Sequence, residues 1–173
     1  MDNVSAVRAA RRILESVTPL NKNCGNICGA KCCQSSDAGD GMLLFPGEET
    51  LYPKKSKMFS ISKIKEPFFS FYITCDGTCD RALRPLACRF FPLIPFAEEK
   101  NGKIISGIRL DRRAWPICPL NPSGITGLSR SFVDSAKEAT SVLLSSEENL
   151  RYIINLTNLI NTYQNFSEAG NSL

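Results

Sequence analysis

The chain has 173 residues, 43% apolar and 22% charged, with eight cysteines, no histidine and a formal charge of +4. Such a composition fills the core of one ordinary domain without help from a metal, and no run of about 18 apolar residues is present to cross a bilayer. The absence of histidine removes the usual base for serine or cysteine nucleophiles, which disfavours a hydrolase.

Residues 4–17 place Val7, Ala10, Leu14 and Val17 at helical spacing, with Asp2 or Asn3 as the cap and Pro19 as the stop. The same segment carries Arg8, Arg11 and Arg12 but no apolar h-region or small-residue cleavage site, so it does not read as a secretory signal and a cytoplasmic location is expected. Residues 20–124 change character, with glycines, prolines and short apolar runs. Strands are expected at 42–45, 68–74 and 103–110, the aromatic segment 68–73 being the strongest. The stretch 98–102 ends in Asn101-Gly102 and predicts a hairpin turn between 93–96 and 103–108. After the breaker run 119–124, a helix over 126–144 aligns Leu128, Phe132, Ala136, Ala139 and Leu143. A further helix begins at a capping box, Ser145 with Glu148, and carries Leu150, Ile153, Ile154, Leu156, Leu159, Ile160 and Tyr163. That stripe is wide enough to require cover, from the chain's own core or from a second copy or another protein. Residues 167–173 are expected to form a loose tail. The expected architecture is α+β: one domain over 1–173, with a cysteine-rich, metal-organised irregular centre and short strands between terminal helices, the last pair spanning about 126–166.

A reducing compartment turns cysteines toward metals or redox chemistry, and the adjacent Cys32 and Cys33 suit two separate ligands better than an unstrained disulfide. Cys24, Cys28, Cys32 and Cys33 crowd into ten residues, while Cys75, Cys79, Cys88 and Cys118 follow at wider intervals. Thiolates favour zinc or an iron-sulfur cluster such as [4Fe-4S]. The four-residue spacing of Cys24, Cys28 and Cys32 fits one face of a helical turn, or a loop in which Gly25 and Gly29 bring backbone amides to the sulfurs. The later cysteines match no common zinc finger. A four-cysteine zinc site contributes −4 + 2 = −2, so two would cancel the formal +4, which weakens any argument from charge for a nucleic-acid partner. Arg84 and Arg89 flank Cys88. They are candidates for stabilising thiolates or gripping an anionic cofactor, and pairing with an acid such as Glu48 is the plainer alternative.

Three motifs resemble a known family. Cys24-x3-Cys28-x3-Cys32-Cys33, then the segment Met42-Leu43-Leu44-Phe45-Pro46-Gly47-Glu48-Glu49, then Arg84-Pro85-Leu86-Ala87-Cys88-Arg89-Phe90-Phe91-Pro92 are similar to the YkgJ-type family, described as a zinc- or iron-chelating domain. The resemblance covers about residues 24–92. It implies metal-ligand roles for Cys24, Cys28, Cys32, Cys33, Cys79 and Cys88, with Arg84 and Arg89 as the basic pair of the last motif; Cys118 lies beyond it.

Other functions fit less well. The cysteine region of flagellin lysine methylases resembles that of this family, which keeps a metal-dependent enzyme as the alternative. The C-x3-C-x2-C motif of radical S-adenosylmethionine enzymes has a different second gap, and no glycine-rich cofactor loop is present. Thiol redox catalysis prefers C-x-x-C beside a βαβ unit, which is missing. Lys54, Lys55, Lys57, Lys63 and Lys65 form a basic run that a solvated loop explains as well as nucleic-acid binding does. With fewer than four sulfurs on a metal, Asp76 or Asp80 would be the carboxylates able to complete its shell.

Overall fold

A computed structural model describes residues 1–34, 41–53, 56–75, 77 and 79–170, without the side chains of 163–170. Lys54, Lys55, Asp76, the Tyr163 side chain and residues 171–173 therefore lie outside the described residues. The fold is α+β, with helices α1 (Asn3–Ile13), α2 (Gly25–Cys28), α3 (Leu86–Phe90), α4 (Arg130–Leu144) and α5 (Glu147–Gly170). The strands are β1 (Gly41–Leu43), β2 (Phe59–Lys63), β3 (Phe71–Cys75), β4 (Leu93–Lys100) and β5 (Lys103–Leu110). They form two antiparallel sheets, one ordered β1-β3-β2 and the other the β4-β5 hairpin. No helix is long and apolar enough among the described residues to cross a membrane.

Asp2 caps α1 by accepting from the Ser5 N–H at 2.9 Å. The helix stops at Ile13, short of the expected 17, and Val17 instead packs from the segment that follows. α4 begins four residues after its expected start. Residues 125–127 form a 3-10 turn, and Ser129 caps the helix by accepting from the Phe132 N–H at 3.4 Å while its hydroxyl donates to the Thr18 carbonyl at 3.0 Å. The expected capping box is displaced by one position. Ser145 Oγ donates back to Val142 O at 2.7 Å, the Asn149 N–H donates to Ser146 Oγ at 3.5 Å, and Glu148 Oε2 accepts from Asn3 Nδ2 at 2.6 Å. A side chain committed to the last turn of α4 is unable to start α5 as well, so the next serine does so.

One apolar core joins these elements: Val7, Ala10 and Leu14 meet Phe132, Ala136 and Leu143 of α4, and Ile153, Leu156 and Ile160 of α5. The wide stripe of α5 is thus largely spent within its own domain. Phe45 and Phe69 stack against Tyr152, with centroids 4.7 and 5.3 Å apart. The hairpin is longer than expected, with Glu98 and Glu99 inside β4 opposite Ile105 and Ile104. Asn101 and Gly102, at φ 52° and 71°, make a two-residue turn that leaves all earlier positions free to pair. β5 matches 103–110. By contrast, the aromatic run 68–74 enters the sheet only from Phe71, with Phe68 60% exposed, and β2 falls where no strand is expected.

Candidate metal centre

The cysteines arrive on three separate pieces of chain. Cys24 opens α2, a single helical turn that sets Cys24 and Cys28 on one face, with the Cys28 thiol 3.6 Å from the Cys24 carbonyl. The helix ends at once because Gly29 and Ala30 adopt φ 64° and 54° and reverse the chain before Cys32. Gln34 Nε2 donates to Gly29 O at 2.7 Å and pins this reversal. The first gap is therefore helical and the second is not. The Gly25 N–H goes to Asn23 Oδ1 and that of Gly29 to Gly25 O, so neither glycine amide is turned to a sulfur.

Cys75 ends β3, and Gly77 lies so close to Cys33 that a Cβ there would stand 3.0 Å from the Cys33 carbonyl. Cys79 precedes a 3-10 turn capped by Asp80, whose Oδ1 accepts from the Ala82 N–H at 2.9 Å. Cys88 lies on α3. Cys118 sits on turns that leave β5, where the Asp111 N–H donates to Pro92 O at 2.8 Å and the Cys118 N–H to Ala114 O at 2.7 Å. All eight cysteines are free; Cys32 is exposed and the others half-buried.

A buried carboxylate holds α3 in place. Glu48, 0% exposed, accepts from Arg11 Nη1 at 2.7 Å, the Leu86 N–H at 2.7 Å, the Phe45 N–H at 3.2 Å and the Tyr52 hydroxyl at 3.3 Å. Burial pushes its pKa up while Arg11 and the two amides oppose that shift. The acid of the middle motif thus pairs with Arg11, a residue outside the motifs, rather than with Arg84 or Arg89. Arg89 lines the cysteine cleft but directs Nε, Nη1 and Nη2 to the carbonyls of Arg84, Arg11, Arg81 and Ala82 at 2.8 to 3.2 Å. Arg81 likewise ties itself to Glu15 O and Val17 O. These arginines brace the loops. Arg84 is different, because it bonds the Cys79 sulfur, and the charges of Cys79, Cys33 and Cys88 hold it above the ordinary arginine range although burial opposes them.

Cys24, Cys28, Cys32, Cys88 and Cys118 line one cleft of about 60 Å³ together with Arg84. That space suits an ion or a few waters better than an organic substrate, which typically fills about 300–1,000 Å³. No protein-family model, curated protein or solved structure matches this chain. What the site can do must therefore be read from its own residues. Cys32 and Cys33 stand with sulfurs 4.0 Å apart. Their shared proton pushes Cys32 up and Cys33 down, and Arg84 adds to the lowering at Cys33. Burial, then the neighbouring sulfurs of Cys28 and Cys118, raises Cys24; burial, then Cys33, Cys79 and Cys75, raises Cys88. Burial also raises Cys79, against the pull of Arg84, and Cys118. Thiols that raise one another's pKa repel as thiolates, and a cation relieves that repulsion directly. Among the described residues no three Cys, Asp or Glu side chains already converge closely enough to hold a metal ion. Ligation at about 2.3 Å for a zinc-sulfur bond thus requires the cysteine side chains to rotate inward.

Proposed function

We propose that this chain is a metal-binding protein of the YkgJ type, which holds zinc or an iron-sulfur cluster through cysteine thiolates and works in the reducing cytoplasm. The observation that carries this reading is the gathering of cysteines from 24–33, 75–88 and 118 around Arg84. A fold that needed only buried small residues would have no reason to set sulfurs beside one another and beside an arginine. The donor set fits the group: thiolates are the preferred ligands of both zinc and iron-sulfur clusters. Bound metal would join three chain segments that otherwise meet through a few hydrogen bonds. The chain's own residues would supply the ligands, the charge of Arg84 beside them, and the apolar wall of Phe91, Pro92 and Ile117 that limits water in the cleft.

The test is metal and thiol analysis of protein purified without oxygen. Zinc present in a colourless protein, or iron with broad absorbance near roughly 400 nm, supports the reading. Negligible zinc and iron, combined with eight freely titratable thiols after attempted loading, would overturn it.

A further inference from the structure

We propose that the mouth of the cysteine cleft docks an acidic polypeptide, which packs apolar side chains on Ile27, Trp115 and Ile117 and sets carboxylates against Lys22 and Lys31. This goes beyond the metal-binding reading and does not depend on it.

Apolar exposure gathers at this mouth. Ile27 is 56%, Trp115 63% and Ile117 40% exposed, although the molecule has a core able to take large side chains. Ile27, on α2, and Ile117, on the turns after β5, line the same cleft with Leu20 and Pro119. The Trp115 N–H donates to Arg112 O at 3.1 Å and the Ile117 N–H to Ala114 O at 3.0 Å, so one run of turns presents both side chains. Apolar groups brought together from distant parts of a chain and rimmed by polar residues mark a surface that meets a partner, with tryptophan a frequent anchor.

Charge identifies the partner. Three segments, 15–34, 80–92 and 111–123, supply every residue of the cleft wall. They hold seven Lys and Arg against Glu15, Asp80 and Asp111, a net of 7 − 3 = +4. The rest of the chain has 21 − 7 = 14 cations and 17 − 3 = 14 acids, so the whole formal excess sits around the cleft. Two of the three acids are already engaged, Asp111 by Arg113 Nη2 at 2.8 Å and Asp80 by the Ala82 N–H at 2.9 Å. A zinc ion on four thiolates contributes −4 + 2 = −2, which leaves the mouth positive. Lys22 and Lys31 are exposed and bracket Ile27 in sequence.

Other occupants fit less well. Ile27 and Ile117 form walls of a cleft rather than a ridge, which a flat bilayer would not reach. Nucleic acid needs successive stacking faces for successive bases, and Trp115 is the exposed aromatic at this mouth. A second copy would bring the same positive face to a two-fold contact and be repelled.

Trp115 is the chain's one tryptophan and reports on the contact directly. Reduced full-length protein is titrated with a short peptide that alternates glutamate with leucine, and Trp115 emission is read beside the anisotropy of the labelled peptide. Emission should move to shorter wavelength, and binding should weaken as salt is raised. Affinity should fall roughly tenfold in Ile27→Ser and in the double variant Lys22→Glu, Lys31→Glu, and stay within about twofold in Ile104→Ser, which changes an exposed residue of the hairpin. No binding, binding indifferent to salt and to these variants, or tighter binding of a lysine-leucine peptide, an oligothymidylate or phosphatidylserine vesicles overturns the proposal. None of these results bears on metal uptake, which is measured separately.

Discussion

The two halves of this molecule are held by different means. α1, α4, α5 and the β4-β5 hairpin close on a continuous apolar core in which Phe132, Ala136, Leu143 and Ile153 are fully buried. Residues 24–34, which carry four of the cysteines, bury no side chain and have one helical turn, one 3-10 turn and isolated polar ties such as Gln34 to Gly29. Apolar burial scales with area and needs no particular partner, so the first half stands by itself. Polar ties each contribute about 1 kcal/mol, too little to order a segment against its conformational entropy without something further. The cysteine half is where a bound cation would change the balance most.

Glu48 joins the halves, and its loss should break the contrast most severely. Glu48→Ala leaves Arg11 buried without its carboxylate and the Leu86 N–H without an acceptor, and should cost about 3–5 kcal/mol in urea unfolding. An effect under about 1 kcal/mol would mean that α3 is held by packing alone. The next largest effect is expected from the proposed metal. At free zinc about 100 times its Kd, stability should rise by about 2.7 kcal/mol, and chelation should reverse it. Hydrogen exchange ought to locate that gain in residues 24–33 and 79–91, with α4 amides little changed; uniform protection along the chain would erase the distinction between the halves.

Smaller changes sharpen the other side. Ser129→Ala removes the α4 cap and the bond to Thr18 O, and should cost about 1 kcal/mol without altering zinc stoichiometry. A loss of zinc in that variant would tie the site to the helical half. The smallest effect is at Asp2, whose pKa is lowered by its hydrogen bonds to Ser5. A carboxyl depressed in the folded state stabilises above its unfolded pKa and loses that contribution as pH falls through the folded one. Below about pH 4 the parent should therefore lose slightly more stability than Asp2→Asn, which keeps a cap that does not titrate; coincident urea midpoints across that range would show that the α1 cap does not matter.

Several elements were legible from residue order because they depend on local periodicity. The stripe Phe132, Ala136, Ala139, Leu143 specified α4, and Asn101-Gly102 specified the hairpin, because each turn of helix and each two-residue loop is decided by its own neighbours. Ser145 misled by one position because a serine between two helices can serve either, and the tertiary path of α4 decided which. The cysteine count and the adjacent Cys32-Cys33 likewise marked the candidate site, five of whose sulfurs the fold brings to one cleft. Spacing alone was silent on which sulfurs become neighbours. Cys118 meets Cys24 and Cys28 only because Asp111 docks on Pro92 after the hairpin, Cys33 comes up to Gly77 only because that residue carries no Cβ, and Arg11 claims Glu48 only because α1 packs beside α3. Such contacts join residues tens of positions apart, so they follow from how the elements pack and not from any pattern readable along the chain.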